Sequence, residues 1–176
     1  MSNLFPYCSF PFHEAVRCHN DRAAIIALAS TGADINAVDA AGRTALTIAA
    51  SLGGADVIRV LAELGAEINT SKPHGRATPM FLAAEFGHVE VIRVLAELGA
   101  DVNTPARGDG GYTPCFIAAQ KGHIEVVRIL AELGADVNTP ARGDRGPTPV
   151  YVAAQNGHIA MIRVLAELGA DVNTPS

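Results

Sequence analysis

Three histidines recur at equivalent places in the chain and are the side chains best suited to chemistry. His88, His123 and His158 each follow a glycine and are spaced 35 residues apart. Imidazole binds metal ions and exchanges protons near neutral pH, so such a row is a candidate metal site or proton relay. The alternative is structural, with each ring bound to nearby backbone and ordering its turn. We favour the structural interpretation. Duplication of a repeat copies each of its residues, so the three histidines count as one observation and not as three independent ones.

The remaining reactive side chains show no catalytic pattern. Four glutamates recur with the same period on a predicted exposed helix face, where we expect solvated charge; they are Glu63, Glu97, Glu132 and Glu167. The sequence contains no Gly-x-Ser-x-Gly, no Gly-Lys-Ser/Thr and no His-Glu-x-x-His motif. We therefore predict no enzymatic activity, no cofactor and no bound metal.

Cysteine usage and net charge indicate the compartment and the class of partner. Cys8, Cys18 and Cys115 are odd in number and irregularly spaced, so neither a disulfide framework nor a zinc site fits them. The first residues do not form a signal peptide, and no apolar run approaches the ~20 residues that span a bilayer. A formal net charge of −5 argues against nucleic acid as partner, because phosphate binding needs a basic surface. We expect a cytosolic or nuclear protein without membrane contact.

The tripeptide Arg-Gly-Asp occurs twice, at 107–109 and 142–144. Both copies fall in segments predicted to be exposed loop tips, where an adhesion motif would have to lie. The alternative is a tight turn that uses glycine and aspartate for its geometry. We favour the turn, because the two copies are one duplication and no signal peptide accompanies them.

These side chains are positioned by a repeating unit. The segment LAELGADVNTPARGD at 95–109 recurs letter for letter at 130–144. Four matching glycines are 34, 35 and 35 residues apart; they are Gly65, Gly99, Gly134 and Gly169. A fixed period of this length predicts a solenoid of stacked repeats. We place a capping segment at 1–10 and one domain at 11–176, with repeats at 11–38, 39–72, 73–107, 108–142 and 143–176.

The first half of a repeat is clearest in the copy at 73–107. Thr78 is a good helix N-cap and Pro79 suits the first helical position, so a helix is predicted from there to Phe86. Gly87 is predicted to end it in a left-handed conformation. In the first copy, the polar stretch at 17–21 is predicted to be the turn between the two helices.

The second half of a repeat is predicted to be a helix from about 88 to 98. Its apolar stripe comprises Val91, Val94, Leu95 and Leu98. Glu90, Arg93 and Glu97 share the opposite face and can form ion pairs three or four residues apart. The following segment, 100–112, is rich in Asn, Pro, Gly and Asp and predicts an extended excursion with a turn.

These motifs together resemble the ankyrin repeat. The resemblance is carried by Thr-Pro at 78–79, 113–114 and 148–149, by Gly-His at 87–88, 122–123 and 157–158, and by GADVN at 99–103, 134–138 and 169–173. It implies an all-α repeat solenoid with two antiparallel helices and a β-hairpin finger in each repeat. The fingers and first helices of similar proteins form a concave face that binds other proteins.

Two departures from the family pattern affect this expectation. The histidine of Thr-Pro-Leu-His occurs only at His13, and later copies carry Phe81, Phe116 and Tyr151, which we predict to stack between neighbouring repeats. The later repeats are 35 residues long, and we place their extra residues in the fingers at about 105–111 and 140–146.

The resemblance places candidate partner contacts at positions that differ between otherwise similar repeats. The finger positions are Arg43, Arg76, Asp109, Tyr112, Arg145 and Pro147, and the helix-end positions are Ser51, Leu52, Glu85, Phe86, Gln120, Lys121, Gln155 and Asn156. Phe86 and Tyr112 are the predicted anchors, because aromatic residues dominate interface energetics. The alternative for Phe86 is partial burial under the neighbouring turn.

One asparagine per repeat has two interpretations. The resemblance implies that Asn103 and Asn138 can be substrates for asparaginyl hydroxylation. The structural interpretation is that each of these side chains, with those of Asn69 and Asn173, binds its own hairpin turn.

Three function hypotheses follow. The first is a non-enzymatic protein-binding module acting as scaffold, adaptor or inhibitor. The second is a self-assembling element that stacks through an apolar C-terminal end, in which charged residues at Met161 or Leu168 would abolish assembly. The third is an enzyme whose site the sequence does not reveal.

Overall fold

The computed structural model describes residues 11–19, 22–69, 77–106, 110–141 and 146–172. These ranges contain ten helices and no strand. The helices are α1 (Pro11–His19), α2 (Arg22–Ala29), α3 (Ala45–Leu52), α4 (Ala55–Glu63), α5 (Pro79–Phe86), α6 (Val89–Glu97), α7 (Pro114–Lys121), α8 (Ile124–Glu132), α9 (Pro149–Gln155) and α10 (Ile159–Glu167). Since α1 continues to His19, the prediction that the turn of the first copy begins at Arg17 is wrong.

The helices form two layers. Each odd-numbered helix packs against the next odd-numbered helix, and each even-numbered helix packs against the next even-numbered one. Each pair, such as α5 and α6, is also in contact across a short turn. The predicted all-α solenoid is therefore confirmed.

The odd-numbered helices begin and end as their sequences predict. The hydroxyl oxygens of Thr44, Thr78, Thr113 and Thr148 each accept a hydrogen bond from the backbone N–H three residues later. Gly53, Gly87 and Gly122 end α3, α5 and α7 with φ angles of 79°, 79° and 77°, in the left-handed region that favours glycine. Helices this short are marginal alone, so these caps define their ends while packing stabilises them.

The core explains the alanine-rich composition. Paired alanines in the odd-numbered layer, such as Ala83 and Ala84, are fully buried and allow neighbouring helices to approach closely. On α6 the fully buried set includes Ile92, which the predicted stripe omitted, whereas Leu98 is only partly buried. The stripe is wider than predicted because α6 packs against helices on both sides, not against a single core face.

One asparagine side chain connects each helix pair to the next. Asn69 Nδ2 donates to the carbonyl of Gly99 (3.2 Å), and the N–H of Asp101 donates to Asn69 Oδ1 (3.1 Å). Asn36, Asn103 and Asn138 make the same two bonds one repeat apart. The prediction that Asn69, Asn103 and Asn138 bind their own turns is wrong, and Asn173, for which the same was predicted, lies outside the described residues. In the turn that contains Asn103, the carboxylate of Asp101 accepts a hydrogen bond from the backbone N–H of Asn103 (2.8 Å). The side-chain amide of Asn103 is therefore available to the following repeat.

The recurring histidines make a second connection at three of the junctions. Nε2 of His88 donates to the carbonyl of Ser51 (3.0 Å), and His123 and His158 bind the corresponding carbonyls of the repeats before them. A Cβ at Gly53 would come within 3.1 Å of the His88 ring, so this glycine serves both the φ angle and the close approach. The rings bind backbone as predicted, but it is the backbone of the preceding repeat.

Ion pairs also cross between repeats. Arg59 binds Glu97 at 2.8 Å, and Arg128 binds Glu167 at 3.1 Å. The predicted pairs within one helix are replaced by these, because side-by-side packing brings the arginine in the middle of one even-numbered helix close to the glutamate at the end of the next. All four side chains are exposed, so each pair contributes little to stability.

The junction between the first two helix pairs is built around Asp39. Its carboxylate accepts from Arg17 (2.8 Å), from Arg43 (2.7 Å) and from two backbone N–H groups. Burial acts to raise the pKa of Asp39, but the hydrogen bonds from Arg43 and Ala41 outweigh it and hold the pKa at about 2. Nearby, Nε2 of His13 donates to the carbonyl of Arg43 (2.7 Å), and burial lowers the pKa of this imidazole.

The fingers are not strands in the described residues. Single backbone bonds close them, from Ala106 N–H to the Tyr112 carbonyl (2.9 Å) and from Ala141 N–H to the Pro147 carbonyl (3.0 Å). Proline at 105, 140 and 147 lacks the N–H that a longer ladder would need. The predicted capping segment at 1–10 and both Arg-Gly-Asp tripeptides lie outside the described residues.

We predict that Asn103→Ala lowers the free energy of unfolding by about 1 to 2 kcal/mol, because it removes two hydrogen bonds between repeats. Urea denaturation followed by circular dichroism measures the change. Glu132→Ala is the matched control, since Glu132 is exposed and forms no bond between repeats in the described ranges. A loss no larger than that of the control would contradict the bridging role.

We predict that Asp39 contributes stability that disappears in acid. The folded pKa lies below the ordinary 3.8, so the contribution is present above pH 3.8 and is lost as pH falls toward 2. The difference in unfolding free energy between wild type and Asp39→Asn should therefore shrink between pH 4 and 2 in urea titrations. A difference that stays constant over this pH range would contradict the prediction.

Candidate functional site

The predicted helix-end residues form two adjacent rows where the odd-numbered helices end. The outer row consists of Leu52, Phe86, Lys121 and Asn156, all of which are exposed. The inner row consists of Ser51, Glu85, Gln120 and Gln155, of which the first three are partly buried. Because successive odd-numbered helices pack side by side, each row runs along the stack. The structure thus brings together the helix-end residues that the sequence predicted.

An apolar patch lies at one end of the outer row. Leu52 is 57% exposed and Phe86 is 52% exposed, although both are large apolar side chains. The His88 ring lies against Gly53, directly after Leu52, and its centroid is 6.3 Å from that of Phe86. We call Leu52, Phe86 and His88 together the Leu52–Phe86 patch. About half of the surface of Phe86 is therefore exposed to solvent, and its ring lies beside the ring of His88.

His88 is the member of this patch that sequence reasoning assigned only a structural role. Its Nε2 is held by the Ser51 carbonyl, so the ring is fixed in one orientation. The ring lies close to Gly53 on one side and beside the Phe86 ring on the other. The signal was present in the Gly-His motif, which follows the variable helix-end pair at 87–88, 122–123 and 157–158 but not after Leu52, where Gly54 replaces the histidine.

The inner row is partly committed to the fold. The backbone carbonyls of Ser51, Glu85 and Gln120 each accept a hydrogen bond from a histidine. The hydroxyl of Ser51 donates to the carbonyl of Ile48 (2.8 Å). The side chains of Glu85 and Gln120 remain at the surface, so this row offers polar contacts beside the outer row.

Of the four charged residues among the predicted finger positions, one lies in the described residues. Arg43 is exposed, but its guanidinium donates twice to Asp39, at 2.7 and 3.0 Å. It therefore serves the first junction. The other three charged finger positions, Arg76, Asp109 and Arg145, lie outside the described residues.

Tyr112 is partly buried and stacks on Phe116, with ring centroids 4.8 Å apart and planes 22° apart. The prediction that Phe81, Phe116 and Tyr151 stack on one another is wrong, since no ring contact joins them in the described ranges. Each of these helices carries one of the three rings, and the axes of packed helices are about 8–10 Å apart. This spacing exceeds the distance of about 4.5–7 Å between the ring centroids of an aromatic pair. Tyr112 thus anchors its finger to α7 and is only partly available to a partner.

Other reactive groups do not form a site in the described residues. Cys115 is buried, and burial, with the nearby carboxylate of Asp136, raises its pKa to about 12, so the thiol stays protonated. No three His, Cys, Asp or Glu side chains in the described ranges converge as metal ligands. An open groove of about 300 Å³ lies on the even-numbered layer, lined by Arg93, Ala96, Glu97 and Leu133. Its carboxylate, Glu97, is already paired with Arg59.

The two candidate hydroxylation sites are exposed at the edge of the stack. Asn103 donates to the Gly134 carbonyl (3.2 Å) and accepts from the Asp136 N–H (2.9 Å). Asn138 makes the equivalent bonds with the following repeat. Both amides are therefore occupied by the junctions. Modification of these residues remains a prediction.

Comparison with known proteins identifies the family. A family model described as ankyrin repeats in three copies matches residues 12–106 and again 105–176. A search of curated proteins gave no match. None of the helices in the described ranges combines the length and apolar character needed to cross a membrane. Ankyrin repeats are generally protein–protein interaction modules and are typically non-enzymatic. Because the two matches together cover nearly the whole sequence, the chain belongs to the ankyrin-repeat family.

Proposed function

We propose that this chain is a non-enzymatic protein-binding module that acts as a scaffold, adaptor or inhibitor. Its partner binds the face formed by the fingers and the ends of the first helices. The observation that carries the proposal is the Leu52–Phe86 patch, where two large apolar side chains face solvent. The partner is a protein rather than nucleic acid, because the net charge of −5 opposes phosphate binding.

The framework around the patch supports this proposal. The residues before each helix-ending glycine are Leu52, Phe86, Lys121 and Asn156, whereas the Ala-Ala and Gly-His frameworks beside the last three are the same. The chemical character of the surface therefore changes from repeat to repeat while the core does not. A rigid scaffold with a variable, exposed row suits selective binding, since little ordering entropy is lost on association.

We predict that Phe86→Ala abolishes capture of the principal partner from lysate of the source organism. Truncating a central aromatic anchor typically weakens binding by about 2 kcal/mol or more, or roughly 30-fold. Immobilised wild type and variant are compared by quantitative mass spectrometry, and calorimetry then measures the affinity. Leu133→Ala is the matched control, because Leu133 is also an exposed apolar residue but lies on the even-numbered layer. Circular dichroism verifies that both variants fold.

A protein retained by wild type and by Leu133→Ala, but lost by Phe86→Ala, would support the proposal. Equal retention by all three baits would place the binding surface elsewhere and contradict it.

A second candidate function is self-assembly through the outer face of α9 and α10. Tyr151 is 43% exposed, whereas the equivalent Phe116 is 2% exposed because α9 covers it. Ile159 and Val172 are also exposed on this part of the stack. Met161, which the sequence suggested as a contact, is fully buried and Leu168 is partly buried, so neither is a suitable probe.

We predict, for this second candidate, that sedimentation velocity shows mass increasing with concentration and that Tyr151→Lys reduces the increase. A charge placed on the apolar face would oppose its burial in an interface. Leu133→Lys serves as the control, because it adds the same charge on a different surface. A mass that is independent of concentration in wild type would exclude self-assembly.

A further inference from the structure

We infer that the partner presents an acidic amphipathic α-helix to the outer row. This inference rests on the proposed function and names the chemistry of the partner segment. The helix lies across the ends of α3, α5 and α7, with apolar side chains on the Leu52–Phe86 patch and a carboxylate beside Lys121.

The apolar contact of this helix is defined by the patch. Leu52 and Phe86 lie in neighbouring repeats, and the fixed ring of His88 lies close to Gly53, the residue after Leu52, and beside Phe86. A partner face that covers all three needs apolar side chains at both ends and a further apolar group in the middle. On an α-helix, residues at i, i+3 or i+4, and i+7 provide this stripe.

The spacing of the repeats favours an α-helix over a strand. Packed helices are separated by about 8–10 Å, which sets the distance between successive positions of the outer row. Seven helical residues advance about 10.5 Å, so one heptad of the partner matches one repeat. Side chains on one face of a strand recur about every 6.6 Å and lose register with the row. A polyproline helix advances about 9 Å per turn but presents no side chain midway, where the His88 ring lies.

Charge fixes the place of the carboxylate on the partner helix. Lys121 follows Phe86 along the outer row, is exposed, and forms no ion pair in the described part of the chain. Glu85 lies beside Phe86 in the inner row and disfavours a carboxylate at that level. A carboxylate is therefore favoured one repeat further on, beside Lys121, about seven residues after the second apolar anchor. A carboxylate at the other end of the apolar stripe would lie one repeat before Leu52 and would not meet Lys121.

The test is a selection from a library of displayed 21-residue helical peptides. Each peptide carries a fixed helical framework, with the residues of one face randomised at positions i, i+4, i+7 and i+14. The baits are wild type, Phe86→Ala, Lys121→Glu and the control Arg93→Glu, which reverses an exposed charge on the even-numbered layer. We expect wild type to enrich apolar residues at the first three positions and Asp or Glu at i+14.

Lys121→Glu should reverse the preference at i+14 to Lys or Arg, and Arg93→Glu should leave it unchanged. For a purified peptide, exchanging Glu for Lys at i+14 should weaken binding to wild type about two- to fivefold, the range of an exposed ion pair. Proline placed between i+4 and i+7 should abolish binding if the peptide is helical, whereas a polyproline ligand would tolerate it.

Absence of enrichment, an unchanged preference with Lys121→Glu, or tolerance of the internal proline would each overturn the inference. If a lysate partner is lost by Phe86→Ala while the charge preference does not reverse, the protein-binding function stands and the acidic helix is wrong. If neither experiment responds to Phe86→Ala, both proposals fail.

Discussion

The contact between one helix pair and the next is the interaction on which the whole structure depends. No described helix exceeds nine residues, so none is stable alone in water. The apolar band of α6 is complete only when α4 and α8 lie on either side of it. Stability is therefore a sum over junctions, and each junction adds directional bonds to this burial. The asparagine bridge recurs at four junctions and the histidine bond at three.

The junctions and the candidate binding surface share residues. The glycine that ends each of α3, α5 and α7 receives the histidine ring of the following repeat. The residue just before that glycine is the exposed member of the outer row, so the bond that joins two repeats also fixes the position of the surface side chain. Phe86 shows the consequence, since its ring lies against the same histidine that binds Ser51. Core rigidity is thus transmitted directly to the surface.

Local features of the fold could be predicted from the sequence, whereas contacts between repeats could not. The threonine caps, the left-handed glycines and the helix bounds depend on residues within a few positions, and the structure bears them out. The partners of Asn69 and His88 are backbone atoms some 30 or more residues away, which no local pattern specifies. The burial of Ile92 was missed for the same reason, because it depends on helices of the neighbouring repeats. The pairing of Arg43 with Asp39 was also missed, although these two residues are only four positions apart.

The asparagine bridge has a consequence for how the array can change in length. Asn69 and Asn103 both bind main-chain atoms of the following unit, a glycine carbonyl and an amide N–H. Main-chain atoms are offered by every unit, so a unit recognises its successor without reading the successor's side chains. Recombination that deletes or duplicates one 35-residue module therefore leaves the asparagine bridge intact at each new junction. Such an event reorders the exposed series Leu, Phe, Lys, Asn, and so generates a new recognition surface on an unchanged frame.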